Sequence, residues 1–357
     1  MKLFKNIYVA LLVFLFSILI FLFALYQYCL SSVSKDETIK SIVIEPGSTV
    51  DGIASILVDD SLIRSKFVFK VYVKLNNKDN LKAGTFSLSE SMSLKEIVEV
   101  LEKGNNSCTG EYKITFKEGL NMRSIASVIA ENTDNSIDDV YAVLNDKEYL
   151  KGLIDEYWFL SDSILNDNIY YSLEGYLYPN TYYFCDKDVE VEEIFESMLD
   201  EMEKQLKEYR DEINSNDRIF HELLTIASIV ELEGVTLEDR KGIAGVLYNR
   251  LLKKMSLGCD VTTYYGARID MGDRDLYVSE LNECNGYNTR CATFKGLPIS
   301  PISNPSIDSI VSAINPDNNN YYYFVADKNR KIYFSKTLNE HNNTIARLKK
   351  QNLWYEY

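Results

Sequence analysis

The sequence predicts an α+β protein: an apolar N-terminal transmembrane helix, small βα modules after it, and a mixed α/β C-terminal domain. Three observations carry this. Asn6 to Ser34 contains no charged residue, and its apolar heart runs from Ile7 to Leu30. Two later segments share one pattern of strand, glycine turn and helix. Ile44-Glu45-Pro46-Gly47 leads to Ile53-Ala54-Ser55-Ile56, and Phe116-Lys117-Glu118-Gly119 leads to Ile125-Ala126-Ser127-Val128. From Arg218 to the end, helical and strand periodicities are mixed.

The apolar run is long enough, as a helix, to cross a bilayer core of about 30 Å. Lys2 and Lys5 lie on its short side, which places the N-terminus in the cytoplasm and everything after Lys35 outside the cell membrane, with a single pass. The run ends in Ala24-Leu25-Tyr26-Gln27-Tyr28-Cys29, which lacks the small residues of a cleavage site, so an uncleaved anchor is expected.

Beyond the anchor (residues 1–34), the reading gives a first module over 35–110. Ile42-Val43-Ile44 is a strand, Pro46-Gly47 a turn, and Ser48 or Thr49 caps a helix over Val50–Leu57. A helix over Lys66–Leu75 and a strand over Thr85–Leu88 follow. Ser93 and Glu96 then form a capping box for a helix that runs to Lys103 and stops at Gly104. The second βα unit and a tyrosine-rich connection, Tyr170–Phe184, occupy 111–185. The last domain, 186–357, should hold helices over Val189–Tyr209, Ile219–Glu233, Leu237–Lys254, Ser306–Ile314 and Leu338–Gln351. Paired strands Tyr321–Ala326 and Lys331–Phe334 complete it, and Asp211–Asp217 reads as a polar loop.

Composition narrows the function. The net charge of −15 and the lack of a basic cluster exclude a nucleic-acid partner. Only two histidines, His221 and His341, stand far apart, and no C-x-x-C occurs, so no metal site and no cofactor are expected. Cys284 and Cys291 are either a pair or free thiols. Neither a phosphate-binding glycine loop nor a G-x-S-x-G elbow is present.

What remains is carboxylates. In Ile226-Ala227-Ser228-Ile229-Val230-Glu231-Leu232-Glu233-Gly234, two glutamates interrupt an apolar run at a helix end. A carboxyl group in apolar surroundings holds its proton toward neutral pH, as the general acid of glycosidic cleavage must. Glu231 falls near the Phe220, Leu224, Ala227 stripe. Glu233 lies almost opposite, so periodicity alone leaves both open.

That stretch, followed by Ile243-Ala244-Gly245-Val246-Leu247-Tyr248-Asn249-Arg250-Leu251, resembles the endolytic murein transglycosylase family (MltG, or YceG-like). Leu257-x-x-Asp260-x-Thr262-x-x-Tyr265-Gly266, Tyr287-Asn288-Thr289, Gly296-Leu297-Pro298 and Ile302-Ser303-Asn304-Pro305 follow in the family's order. Tyr323-Phe324-Val325-Ala326, Phe334-Ser335-Lys336-Thr337 and Glu340-His341-Asn342 do so as well. Upstream, Leu81-Lys82-Ala83-Gly84-Thr85 and Leu173-Glu174-Gly175-Tyr176-Leu177-Tyr178-Pro179 are similar to it. The sequence departs from the pattern at Gly258 and Val261 (usually glutamine and proline), at Arg290 (usually tyrosine), at Ile299-Ser300 (usually proline-glycine) and at Lys331-Ile332 (usually glycine-histidine).

The resemblance implies a LysM-like module after the anchor and a C-terminal catalytic domain in which Glu231 is the acid/base. It implies cleavage within peptidoglycan glycan strands to 1,6-anhydro ends, which terminates elongation, and association with peptidoglycan synthases at the cytoplasmic membrane. Tyr248, Asn249, Asp260, Thr262, Tyr265, Tyr287, Asn288, His341 and Asn342 are then substrate-binding candidates. Two alternatives stand beside it: a hydrolytic muramidase with Glu231 as acid in which Asp260 or Glu233 aids a water, and a membrane-tethered glycan-binding scaffold without activity.

Overall fold

The computed structural model describes residues 2–35, 38–44, 47–78, 80–103 and 112–354. It is a mixed α and β protein of two compact units, Met1–Lys113 with Tyr183–Asp186, and Ile114–Tyr182 with Lys187–Tyr357.

In the smaller unit, α1 (Lys2–Leu30) is one unbroken helix of 29 residues. Phe14, Phe16, Leu19, Phe21 and Phe23 on it are exposed. Among the described residues, no helix is long and apolar enough to cross a membrane. Next come β1 (Ile39–Ile44), α2 (Val50–Asp59), α3 (Lys66–Leu75), β2 (Gly84–Ser89) and α4 (Leu94–Lys103). The strands pair antiparallel, Ile42 facing Phe86 and Ile44 facing Gly84. Alternation puts Ile42 and Ile44 inside and Val43 out, and Leu57, Phe69, Val98 and Leu101 complete the core. Local signals act as expected. Gly47 takes the left-handed φ of +84° that its turn requires. Thr49 caps α2 through the Gly52 amide, and Ser93 and Glu96 cap each other reciprocally. The expected turn at Pro46 and helix stop at Gly104 lie outside the described residues.

The larger unit follows β3 (Tyr112–Thr115). Its elements are α5 (Met122–Asn132), α6 (Ile137–Asn145), α7 (Lys147–Glu156), β4 (Thr181–Phe184), α8 (Val191–Leu206), α9 (Arg210–Asn214), α10 (Phe220–Glu233) and α11 (Leu237–Leu252). After these come α12 (Asp260–Gly266), α13 (Val278–Asn282), α14 (Ile307–Ile314), β5 (Tyr323–Ala326), β6 (Ile332–Ser335) and α15 (Leu338–Lys350). β3 pairs with β4, and β5 with β6. The second glycine turn repeats the first, with Gly119 at φ +78°. The stretch expected as a loop at Asp211–Asp217 instead begins inside α9. Its polar residues are the solvated face of a short helix whose Ile213 is buried. The tyrosine-rich connection likewise contains β4.

The hub of this unit is α10. Leu223, Leu224, Ile226, Ala227, Ile229 and Val230 are all fully buried, so the helix is apolar on every side along its middle. α11, α12 and α14 pack around it. Ser228 fastens it to the segment ahead of α14, its hydroxyl accepting from the Ile302 amide and its carbonyl from the Ser303 hydroxyl. The hub thereby fixes where the last turn of α10, with its two glutamates, emerges.

Candidate active site

Glu231 stands in that last turn, which closes when the Gly234 amide donates to the Val230 carbonyl. One carboxylate oxygen accepts from Nη2 of Arg240 at 2.7 Å. The other accepts from the Ser306 amide at 2.9 Å and the Ser306 hydroxyl at 2.6 Å. The side chain is 5% exposed. Arg240 is delivered by the first turn of α11, which the Thr236–Asp239 capping box anchors. Its Nη1 lies 3.8 Å from Asp308, and its buried Nε has no hydrogen-bond partner among the described residues. The Ser306 amide belongs to the open N-terminus of α14, whose first amides have no partner within the helix. The apolar surroundings expected for Glu231 therefore hold for its helix and not for its carboxylate, because the residues that grip it come from α11 and the start of α14. The Gly119 turn passes beside it, the glycine leaving room for the Leu232 and Glu231 side chains.

Behind this turn sits a buried carboxyl. Glu174, 1% exposed, accepts from the Met122 amide and the Tyr265 hydroxyl on one oxygen and from Asn304 Nδ2 on the other. Burial pushes it up to about 7, against the pull of those donors and of Arg123. Asn304 also accepts from the Leu177 amide and exchanges backbone bonds with Gly119 and Leu120. The pair thus ties three distant segments together two residues ahead of Ser306. Sequence reasoning did not mark Glu174 as a site residue. The one available signal was a glutamate enclosed by apolar and aromatic residues in Leu173-Glu174-Gly175-Tyr176-Leu177.

Glu233 faces the other way, toward α12. Its half-buried carboxyl makes no hydrogen bond or ion pair among the described residues. Burial pushes it up to about 7, the charge of Asp260 adds to the rise, and Arg290 opposes it. Arg290 is ion-paired with Asp260 through Nε. The arginine that departs from the family pattern is therefore what holds Asp260.

The other candidates are engaged within the fold. The Thr262 hydroxyl meets the Cys259 carbonyl and the Thr289 hydroxyl. Fully buried Asn288 accepts from Thr263 and donates to the carbonyls of Glu280, Leu281 and Glu283. Tyr265 serves Glu174, and the Tyr287 hydroxyl meets Ser300 and the Tyr170 amide. Tyr248 donates to the Ala313 carbonyl, and Asn249 to the carbonyls of Asn319 and Tyr321. His341 packs on the Tyr323 ring, with burial and then Arg250 lowering its pKa. Asn342 is exposed. The structure thus bonds Tyr265 to Glu174, sets Asp260 close enough to Glu233 for its charge to be felt there, and places the remaining candidates in local frameworks. Cys284 and Cys291 form a disulfide in the loop after α13.

Proteins similar along nearly the whole chain are known. The endolytic murein transglycosylase of Bacillus subtilis (strain 168) is 39% identical over 316 residues, covering 88% of this chain and 86% of that protein. The endolytic murein transglycosylase of Streptococcus pneumoniae strain D39 is 31% identical over 338 residues, 90% of this chain but 61% of that longer protein. A yceG-like protein of Listeria monocytogenes, with a crystal structure at 2.6 Å, aligns with a TM-score of 0.61 and 36% identity over 87% of this chain and all of that one. Residues 42–347 match the YceG-like family. The chain belongs to that family.

Proposed function

We propose that this protein is an endolytic peptidoglycan lytic transglycosylase, cutting MurNAc–GlcNAc bonds within nascent glycan strands and so terminating their elongation. The observation that carries this is the 39% identity, over 88% of the chain, to the endolytic murein transglycosylase of Bacillus subtilis. Glu231 is the acid/base. Its carboxyl proton passes to the glycosidic oxygen as the bond to the muramyl C1 breaks. The resulting carboxylate takes the proton of the muramyl 6-hydroxyl as that oxygen bonds to C1. The glutamate ends protonated as it began, water is not consumed, and the product end is 1,6-anhydroMurNAc. Arg240 and Ser306 hold the carboxyl group in place for both transfers.

The β-α-α-β order of the smaller unit supports a LysM-like, glycan-binding module. The uncharged stretch Asn6–Ser34 supports a single-pass anchor with the N-terminus in the cytoplasm, which would keep the enzyme beside peptidoglycan synthases at the cell membrane. The free carboxyl of Glu233 beside Asp260 favours one second reading: a muramidase in which these groups activate a water and the products carry reducing ends.

The test is mass spectrometry of fragments released from uncrosslinked peptidoglycan by the full chain, Glu231→Gln and Glu233→Gln. Internal cuts with anhydro ends, lost in Glu231→Gln and kept in Glu233→Gln, are expected. Reducing ends that vanish with Glu233→Gln would establish the hydrolase. No release by the unaltered chain would remove both readings.

A further inference from the structure

We propose that a second cleft of the larger unit binds the peptide stem of a muramyl sugar through a carboxylate, with Arg268 as the recognising group. The proposal rests on the peptidoglycan reading above. The cleft has a volume of 360 Å³ and lies between the α6–α7 corner, the segment ahead of Leu173 and the end of α12. That volume lies within the range of small-ligand sites. Its floor is apolar, from buried Leu144, Leu150 and Ile164. One wall is aromatic: Tyr141 stacks on Tyr171 with centroids 5.5 Å apart. The Arg268 guanidinium lies 4.2 Å from the centre of the Tyr170 ring.

The charges at the rim differ in kind. Lys147 is already paired with Asp167 at 2.9 Å. The Arg268 guanidinium has neither a hydrogen bond nor an acidic partner among the described residues. It is exposed, and it projects from a residue held at a left-handed φ of +57° directly after α12. An uncompensated planar cation beside an aromatic face suits a carboxylate, which it can grip with two parallel hydrogen bonds. The apolar floor suits small side chains such as alanyl methyl groups. A short peptide that sets an alanine beside an acidic residue, the chemistry at the start of a peptidoglycan stem, satisfies both, whereas an uncharged sugar leaves the cation unused. Tyr170 also links the cleft to the site. It packs on Tyr287 at 4.5 Å and on Tyr265 at 5.7 Å, and Tyr265 donates to Glu174. A stem held here is fixed to the same scaffold as Ser306 and Glu231.

The experiment is calorimetric titration of the full chain with N-acetylmuramyl-L-alanyl-D-glutamic acid γ-methylamide, whose one free carboxyl is the α-carboxyl that a peptidoglycan stem leaves free, and with the same molecule carrying that carboxyl as an amide. Amidation is expected to weaken binding by about tenfold, the loss of one charge-assisted contact. Arg268→Asn, a residue that tolerates left-handed backbone, should bind both probes equally and weakly while cleaving peptide-free glycan strands at the unaltered rate. Arg268→Gln repeats the measurement should the asparagine variant melt without cooperativity. Equal binding of the two probes by the unaltered chain, no binding of either, or discrimination that survives both variants would overturn the proposal. Carboxylate discrimination in a chain that cleaves no glycan would leave the cleft standing and remove the transglycosylase reading, so the two fail separately.

Discussion

Glu231 is held by three donors from two elements, and each bears on its proposed acid/base role differently. Ser306 fixes one oxygen through backbone and side chain, whereas Arg240 alone fixes the other. Arg240→Ala should therefore free the carboxyl to rotate rather than remove it. The expected result is a kcat lower by about 10²-fold with KM little changed, the usual cost of misplacing a reacting group by an ångström. Arg240→Lys should recover part of the rate, since charge returns without the planar fork. Rates of fragment release at varied glycan concentration check both. Glu233 makes a different prediction. Its folded pKa of about 7 lies above the ordinary 4.5, so the folded state holds a proton that the unfolded chain has lost between those values. Its stabilising contribution is fully present below about pH 4.5 and lost as pH rises through about 7. Melting temperature should thus fall across that window less steeply in Glu233→Gln than in the unaltered chain, as calorimetry at stepped pH will measure. The sequence could place two glutamates at a helix end and assign them opposite faces. It could not assign their partners, because Arg240, Ser306, Asp260 and Arg290 approach from other elements.

At the scale of elements, the Leu173–Leu177 turn depends on one glycine. Gly175 has φ +88°, and a methyl group added there would meet the ring of Pro301. Neither the backbone nor a proline ring can yield cheaply. Gly175→Ala should cost about 2–4 kcal/mol, combining left-handed strain with overpacking, and lower the midpoint of urea unfolding without changing its slope. Where a signal was local, the sequence was readable: the Ser93–Glu96 box, the Thr49 cap and both glycine turns fall where their residues predict. The helix read over Lys66–Leu75 has those bounds in the structure. Where an element depends on tertiary burial, it was not. α12 is seven residues long, too short for periodicity to register, and is set by packing against α10. α9 is concealed by its polar face.

At the scale of the molecule, the proposed anchor makes a direct prediction. The full chain should sediment with membranes and resist extraction by high salt and alkali, yielding only to detergent. A chain from which residues 1–34 are removed should remain in the supernatant; membrane association that persisted after removal would place the attachment elsewhere. Ile114–Tyr182 and Lys187–Tyr357, which the sequence assigns to successive regions, contribute jointly to the larger unit. Asn304 bridging to Leu120 and Glu174 shows why: the joining contacts connect residues more than a hundred positions apart. The last turn of α10 has a consequence for variation. Side chains two positions apart on a helix diverge by about 200°, so Glu231 and Glu233 report to separate neighbourhoods, one built by α11 and α14, the other by α12 and Arg290. Variation around Glu233 bears on how stability responds to pH, and variation around Arg240 on how Glu231 is held. One helical turn thus carries two traits that can be tuned separately.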